Sequence, residues 1–171
     1  MEKKDSTFKE KVFLGGSCNL TAWRKEIAIP ILQKYNVEFY NPQVEILTNN
    51  LIDEENKAKE NCKYLLFVID DKTRSIESMM KASLYIGEGR NVYLVIKEIK
   101  KKSKISEEDI GISQLEEDLN KARQYIYDIG KNRSNVKICP NIKKAIRIIV
   151  EDIKIQAPSF SHNPHETNII T

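Results

Sequence analysis

The chain alternates short apolar runs with longer segments in which apolar residues recur at helical spacing. Runs that are apolar on both faces and rich in β-branched or aromatic residues predict buried strands, here over residues 12–14, 37–40, 64–69, 91–96 and 136–139. Capping residues and helical spacing predict helices over residues 22–34, 53–62, 76–88, 112–129 and 142–155. Pro30 lies within the first helix and predicts a kink near Ile29. The alternation predicts an α/β fold, a flavodoxin-like three-layer sandwich with a five-stranded parallel sheet.

The middle of the chain, residues 64–96, is predicted to form a strand, a helix and a second strand. The first strand ends in two carboxylates, Asp70 and Asp71. Ligands of open α/β sheets bind outside the carboxyl ends of the strands, so residues 70–81 are where chemistry is expected. The apolar positions of the helix are predicted to lie mostly on one side; they are Ile76, Met79, Met80, Leu84 and Ile86.

The composition predicts one folded domain with polar ends. The chain has 171 residues, of which 40% are hydrophobic and 31% charged. We expect a flexible N-terminus over residues 1–10, one domain over residues 11–155 and a C-terminal tail over residues 156–171. The net charge of +3 is small and dispersed, and the lysine-rich residues 97–104 lack interleaved aromatic side chains. Neither nucleic acid nor a membrane is therefore an expected partner.

The positions of the cysteine and histidine residues limit the kinds of site that are expected. Cys18, Cys62 and Cys139 are odd in number and lack metal-ligand spacing, which favours a reduced, cytoplasmic protein. The first residues lack the apolar core of a signal peptide, and no apolar run approaches the ~20 residues of a membrane span. His162 and His165 both lie in the tail, so no histidine base is expected inside the domain. No metal or cofactor is expected.

Small and polar residues follow the first predicted strand. Gly15, Gly16 and Ser17 form a turn at which a ligand can approach the backbone next to a helix N-terminus, and Asn19 can cap that helix. The spacing is neither a dinucleotide fingerprint nor a Walker loop, so an ordinary tight turn is the alternative. Arg24 can clamp an anion, or it is a surface charge.

Further candidates follow the second and third predicted strands. The amides of Asn41 and Gln43 suit sugar hydroxyls or base edges, although Asn-Pro is also common turn chemistry. Asp70 or Asp71 can act as an acid, a base or a hydroxyl acceptor, or can cap the next helix. On that helix, Glu77 and Lys81 have the spacing of an exposed ion pair, while Arg74, Ser78, Lys81 and Tyr85 share one face.

Several motifs together resemble one family. FLGGSCNLTAWRKEIAIPIL, FYNPQV, NCKYLLFVIDDKTRSIESMMKASLYIG and GRNVYLVI are similar, in this order, to segments of nucleoside 2-deoxyribosyltransferase-like proteins. The resemblance covers residues 11–97 well. It implies nucleoside binding and exchange of the base on deoxyribose, in which a glutamate on the helix after the central strand forms a glycosyl-enzyme. It also implies a homo-oligomer in which a neighbour completes the pocket.

Carried over by position, the resemblance implies roles for individual residues. The loop Gly15–Ser17 would lie against the ligand, and Asn41, Gln43 and Asp70 would contact the sugar or base. The position of the nucleophilic glutamate falls on Lys81, and a lysine cannot form the glycosyl ester, so transfer is expected to be impaired. Glu77 lies one helical turn nearer the strand than residue 81, about 5.4 Å away along the helix axis. Near-attack geometry does not tolerate a displacement of this size, so Glu77 is not expected to replace the nucleophile directly.

Three hypotheses follow from the sequence. The first is an enzyme, either a deoxyribosyltransferase or an N-glycoside hydrolase, that uses Glu77 or Asp70 as its carboxylate. The second is a binding module that keeps the pocket without the nucleophile, in which the charge of Lys81 favours a phosphorylated ligand. The third is a protein-interaction domain with a vestigial cleft.

Overall fold

The computed structural model describes residues 9–18, 21–43, 51–100 and 110–156. Within these residues, five parallel strands form one sheet in the order β2-β1-β3-β4-β5. The strands are β1 (Lys9–Gly16), β2 (Glu38–Tyr40), β3 (Cys62–Ile69), β4 (Asn91–Ile96) and β5 (Val136–Ile138). The predicted α/β, flavodoxin-like fold is confirmed. Within the predicted N-terminal segment, residues 1–10, Lys9 already begins β1. Residues 157–171 of the predicted tail lie outside the described residues.

Helices cover both faces of this sheet. They are a π-helical segment (Arg24–Ala28), α1 (Ile29–Lys34), α2 (Leu51–Asn61), α3 (Ile76–Gly87), α4 (Ile110–Gly130) and α5 (Ile142–Gln156). One core joins the sheet to α1 and α5 through residues such as Leu32 and Ile146. The second core joins the other face to α3 and α4 through Ala82 and Ile126. None of the described helices has the length and apolarity needed to cross a bilayer.

The kink predicted near Ile29 takes the form of a change in helix type. The N–H of Ile29 donates to the carbonyl of Arg24, five residues earlier, which closes a π turn. Pro30 has no N–H to donate to an α-helical partner, so the chain enters α1 with one turn widened. The wider turn lies next to Arg24, whose side chain organises the loop described below.

The single apolar side predicted for α3 was partly wrong, because its five residues lie on two sides of the helix. Ile76, Met80 and Leu84 are 49%, 69% and 56% exposed and form a stripe at i, i+4 and i+8. The face that packs against the sheet carries Ser78, Met79, Ala82, Tyr85 and Ile86. The helix has more apolar residues than positions facing the sheet, so hydrophobicity alone did not identify the buried side.

Candidate active site

A cavity of about 310 Å³ opens at the carboxyl edge of the sheet between β1 and β3. The chain adds β2 on one side of β1 and β3 on the other, so this crevice is the topological switch point where ligands of such sheets bind. The predicted site residues that line it are Gly15, Gly16, Ser17, Arg74, Glu77, Ser78 and Lys81. Asn19 lies outside the described residues.

The two glycines at the end of β1 are required by close packing against β3. A Cβ on Gly15 would lie 2.6 Å from Cδ1 of Phe67, and one on Gly16 would lie 2.7 Å from the carbonyl oxygen of Val68. Gly16 also has φ +136°, a backbone conformation that residues with a side chain rarely adopt. Both glycines also line the cavity.

Arg24 lies beneath this loop and does not line the cavity. Its guanidinium is fully buried and donates from Nε to the carbonyl of Leu14 (2.9 Å), from Nη2 to Gly16 (2.8 Å) and from Nη1 to Ser17 (3.0 Å). It also lies 4.5 Å from the centre of the Trp23 ring. The guanidinium that was predicted to clamp an anion is thus bonded to three main-chain carbonyls. Arg24 therefore supports the conformation of the loop after β1.

The two predicted amide contacts brace the loop after β1. Nε2 of Gln43 donates to the carbonyls of Cys18 (2.7 Å) and Thr21 (3.2 Å). The side-chain oxygen of Asn41 accepts from the N–H of Gln43 at 3.0 Å, which closes an Asx turn. Pro42, between them, is the member of this turn that lines the cavity.

Asp70 organises the loop that follows β3. Its Oδ1 accepts from the N–H groups of Lys72 (2.9 Å) and Thr73 (2.8 Å) and from the Thr73 hydroxyl (3.0 Å). Buried Arg123 donates to the main-chain carbonyls of Asp70 and Thr73. Oδ2 of Asp70 is buried and has no hydrogen-bond partner among the described residues. Asp71 lines a neighbouring cleft on the other side of the loop.

Hydroxyl groups form one wall of the cavity. Oγ of Ser17 lies 2.7 Å from Oγ1 of Thr73, which lies 2.8 Å from Oγ of Ser75. Ser75 is the N-cap of α3, with φ 54°, but its hydroxyl makes no capping bond and instead joins this cluster. Ser78, one turn later, also faces the cavity. The wall therefore presents groups that both donate and accept hydrogen bonds.

Aromatic side chains from β1 and β3 also line the cavity. The rings of Phe13 and Phe67 have their centres 6.1 Å apart and are tilted by 50°. Tyr40 stacks on Phe13 at 5.9 Å, and Tyr85 stacks on Phe67 at 6.2 Å. These outer rings fix the orientation of the two phenylalanines, which are each 1% exposed and contribute an apolar floor to the cavity.

A charged cluster connects α2 to α3 at the cavity. Lys81 donates to Oε1 of Glu55 at 2.7 Å and forms the predicted pair with Glu77. Lys59, which is 1% exposed, contacts the same Glu55 oxygen at 3.0 Å. Burial acts to raise the pKa of Glu55, but the hydrogen bonds from Lys81 and Lys59 outweigh it and lower that pKa. Burial acts to lower the pKa of Lys81, but its two carboxylate partners raise it.

Several cavity residues were not named as site residues from the sequence, although three of them lie within residues 70–81, where chemistry was expected. They are Phe13, Cys18, Pro42, Glu55, Phe67, Thr73, Ser75 and Ile76. Glu55 and Lys59 lie in a segment that the sequence indicated only as a charged helix, although their i,i+4 spacing was visible. Among the described residues, no group of three His, Cys, Asp or Glu side chains could hold a metal ion.

The fold and the cavity define a flavodoxin-like α/β protein with a ligand site at its topological switch point. A family model described as nucleoside 2-deoxyribosyltransferase like matches residues 9–99, more than half of the chain. The chain therefore belongs to the nucleoside 2-deoxyribosyltransferase-like family, as its motifs predicted. A search of curated proteins found no match. The matched residues include β1, α2, β3 and α3, which line the cavity.

Proposed function

We propose that the cavity binds a nucleoside, with N-glycosidic base exchange on deoxyribose as the class of reaction. The observation that carries the proposal is the pairing of a hydroxyl wall with two phenylalanines in one crevice inside the family region. Its volume of about 310 Å³ lies at the small end of the range for small-molecule sites. Polar and apolar walls of this kind match a ligand with a hydroxylated sugar and a flat base.

The two halves of a nucleoside have matching surroundings here. Ser17, Thr73 and Ser75 already exchange hydrogen bonds with one another, and sugar hydroxyls can take over those bonds without leaving a donor unpaired. Phe13 and Phe67, each 1% exposed, form an apolar floor of the cavity against which a base can lie. Gly15 and Gly16 line the cavity with main-chain atoms alone, which a ligand can contact between these two regions.

The charges around the cavity favour a nucleoside over a nucleotide. The charged residues that line it are Glu55, Arg74, Glu77 and Lys81, two of each sign. Lys81, which on sequence grounds favoured a phosphorylated ligand, is already paired with both carboxylates. A phosphate would have to displace a carboxylate to reach it. Its ammonium cannot form a glycosyl ester, so residue 81 does not supply the nucleophile.

Isothermal titration with deoxynucleosides and their 5′-monophosphates tests this proposal. We expect deoxynucleosides to bind, and binding to weaken at least about tenfold in Ser17→Leu, which fills the cavity and breaks the hydroxyl cluster. Ser134→Leu, at an exposed position in the turn after α4, is the matched control and should bind like the native protein. Tighter binding of every monophosphate would contradict the charge argument. Failure of all nucleosides and nucleotides to bind would favour the interaction-domain hypothesis.

A further inference from the structure

We propose that Glu55 is the carboxylate that attacks the anomeric carbon of a nucleoside bound in this cavity. This inference rests on the proposed function, because it needs a nucleoside in the site. Glu55 comes from α2, which precedes the central strand, whereas the family resemblance implied a nucleophile on α3. The proposal therefore moves the reactive group from one wall of the cavity to a neighbouring one.

The position of Glu55 is the first support. Its Oε1 lies 2.7 Å from Nζ of Lys81, so the carboxylate is within hydrogen-bond distance of the end of side chain 81. A glutamate at residue 81 would end one bond short of that nitrogen. The Glu55 carboxylate thus lies near the place where the resemblance puts the reactive oxygen. Glu77 instead begins one helical turn, about 5.4 Å, away from residue 81.

The two lysines that hold Glu55 are the second support. Lys59 and Lys81 contact Oε1 at 3.0 and 2.7 Å from two different helices, so the side chain is fixed in one orientation. Both ammonium groups favour the charged form of the carboxylate, which is the form that acts as a nucleophile. Lys59 is buried beneath the cluster, which keeps this support in place while a ligand enters from the open side.

The other carboxylates near the cavity are less suited to the role. The side chain of Glu77 is 80% exposed, so water surrounds it and its geometry is set only by the pair with Lys81. Asp70 does not line the cavity, and its Oδ1 is occupied by three hydrogen bonds within its own loop. Of the carboxylates that line the cavity among the described residues, Glu55 is the one held from two sides.

The reaction balances with a nucleoside and a second base. A carboxylate oxygen of Glu55 forms a bond to the anomeric carbon as the carbon–nitrogen bond to the first base breaks. The base leaves with that electron pair and takes one proton from solvent. An acceptor base then attacks the same carbon, releases the Glu55 carboxylate and returns one proton to solvent. Lys81 stays beside the carboxylate and stabilises it as it is released.

Base exchange by four proteins tests the inference: the native chain, Glu55→Gln, Glu77→Gln and the control Glu60→Gln. Glu60 is an exposed residue of the same helix that does not line the cavity. Each protein receives a deoxynucleoside with and without an acceptor base, and the released base is measured by chromatography. We expect Glu55→Gln to lose at least about 1,000-fold in rate, Glu60→Gln to match the native rate and Glu77→Gln to lose less than tenfold. Loss confined to Glu77→Gln would overturn the inference.

A trapping experiment keeps the inference testable if Glu55→Gln folds poorly. The native protein is incubated with a 2′-deoxy-2′-fluoroarabinosyl nucleoside, whose fluorine slows breakdown of a glycosyl ester, and its peptides are then analysed by mass spectrometry. A sugar adduct on Glu55 supports the inference, and an adduct on any other residue overturns it. Nucleoside binding without turnover or adduct overturns this inference alone. Absence of binding overturns the proposed function together with it.

Discussion

Lys59 and Glu55 form an ion pair one turn apart on α2, in which the lysine is almost completely buried and the glutamate reaches the cavity. The ammonium lies 3.0 Å from Oε1 of Glu55 and 5.7 Å from the centre of the Phe13 ring. Burial lowers the pKa of Lys59, and the ion pair with Glu55 opposes that effect. A buried cation is costly unless it is paired, so α2 contributes a fixed carboxylate to the site as a consequence of its own packing.

The first prediction concerns stability at acid pH. The pKa of Glu55 is lowered from its ordinary value of 4.5, so the charged carboxylate stabilises the folded state above that value. The contribution is lost as the pH falls through the lowered pKa. We therefore expect native protein and Glu55→Gln to differ most in free energy of unfolding at neutral pH and to converge below pH 4.5 in urea titrations. A difference that grows towards low pH would contradict this assignment.

A second prediction concerns Arg24. Arg24→Lys keeps the charge but removes the fork that donates to the carbonyls of Leu14, Gly16 and Ser17. We expect a loss of about 2–4 kcal/mol in unfolding free energy, since buried groups lose charge-assisted hydrogen bonds. Lys25→Arg, at the exposed neighbouring position, is the control and should change stability little. Equal stability of Arg24→Lys and native protein would show that the loop does not depend on the guanidinium.

A third prediction separates two glycines. Gly16→Ala places a Cβ 2.7 Å from the Val68 carbonyl at a φ of +136°, so we expect a loss of about 1–3 kcal/mol or more from strain and contact. Gly87→Ala, at the end of α3, meets nothing within 4 Å and has no positive φ, so it should be neutral or slightly stabilising. Chemical denaturation of both variants measures the contrast. A stable Gly16→Ala would mean that β1 and β3 can separate at this edge.

A fourth prediction moves the carboxylate back to α3. The double variant Lys81→Glu/Glu55→Gln places one carboxylate at residue 81. Lys59 lies close to that position, because its charge and the charge of Lys81 act on each other in the native protein. We expect it to regain at least about 100-fold of the base-exchange rate lost in Glu55→Gln. Chromatography of the released base measures the recovery. A double variant that binds nucleoside and stays inactive would contradict the shared position of the two carboxylates.

Local patterns in the sequence were sufficient to predict most elements of the fold. The apolar run of β3 and the helical spacing of α5 are confirmed, and Asn141 caps α5, since its Oδ1 accepts from the N–H of Lys144 at 2.8 Å. Of the four residues predicted to share one face, Arg74, Ser78 and Lys81 line the cavity, whereas Tyr85 stacks on Phe67 and does not line it. These features depend on periodicity and on contacts within a few residues.

Features set by distant contacts could not be predicted in this way. Arg24 is indistinguishable in sequence from a surface arginine, and its burial follows from carbonyls at the end of β1. Glu55 belongs to a segment that was predicted only as a charged helix, and one of its hydrogen bonds comes from Lys81, 26 residues later. The exposed stripe of α3 follows from the way the helix packs on the sheet, which places Ala82 inside and Met80 outside.

Amide chemical-shift mapping with ¹⁵N-labelled protein tests the central claim most directly, because it reports where a nucleoside binds. During titration with a deoxynucleoside, we predict the largest shifts at residues 15–18 and 73–81 and in the part of α2 around Glu55, which surround the cavity. Residues around Tyr35 and Val150, which line a separate cleft between β2 and α5, should not change. Saturable shifts at that cleft, or none at the cavity, would contradict the account.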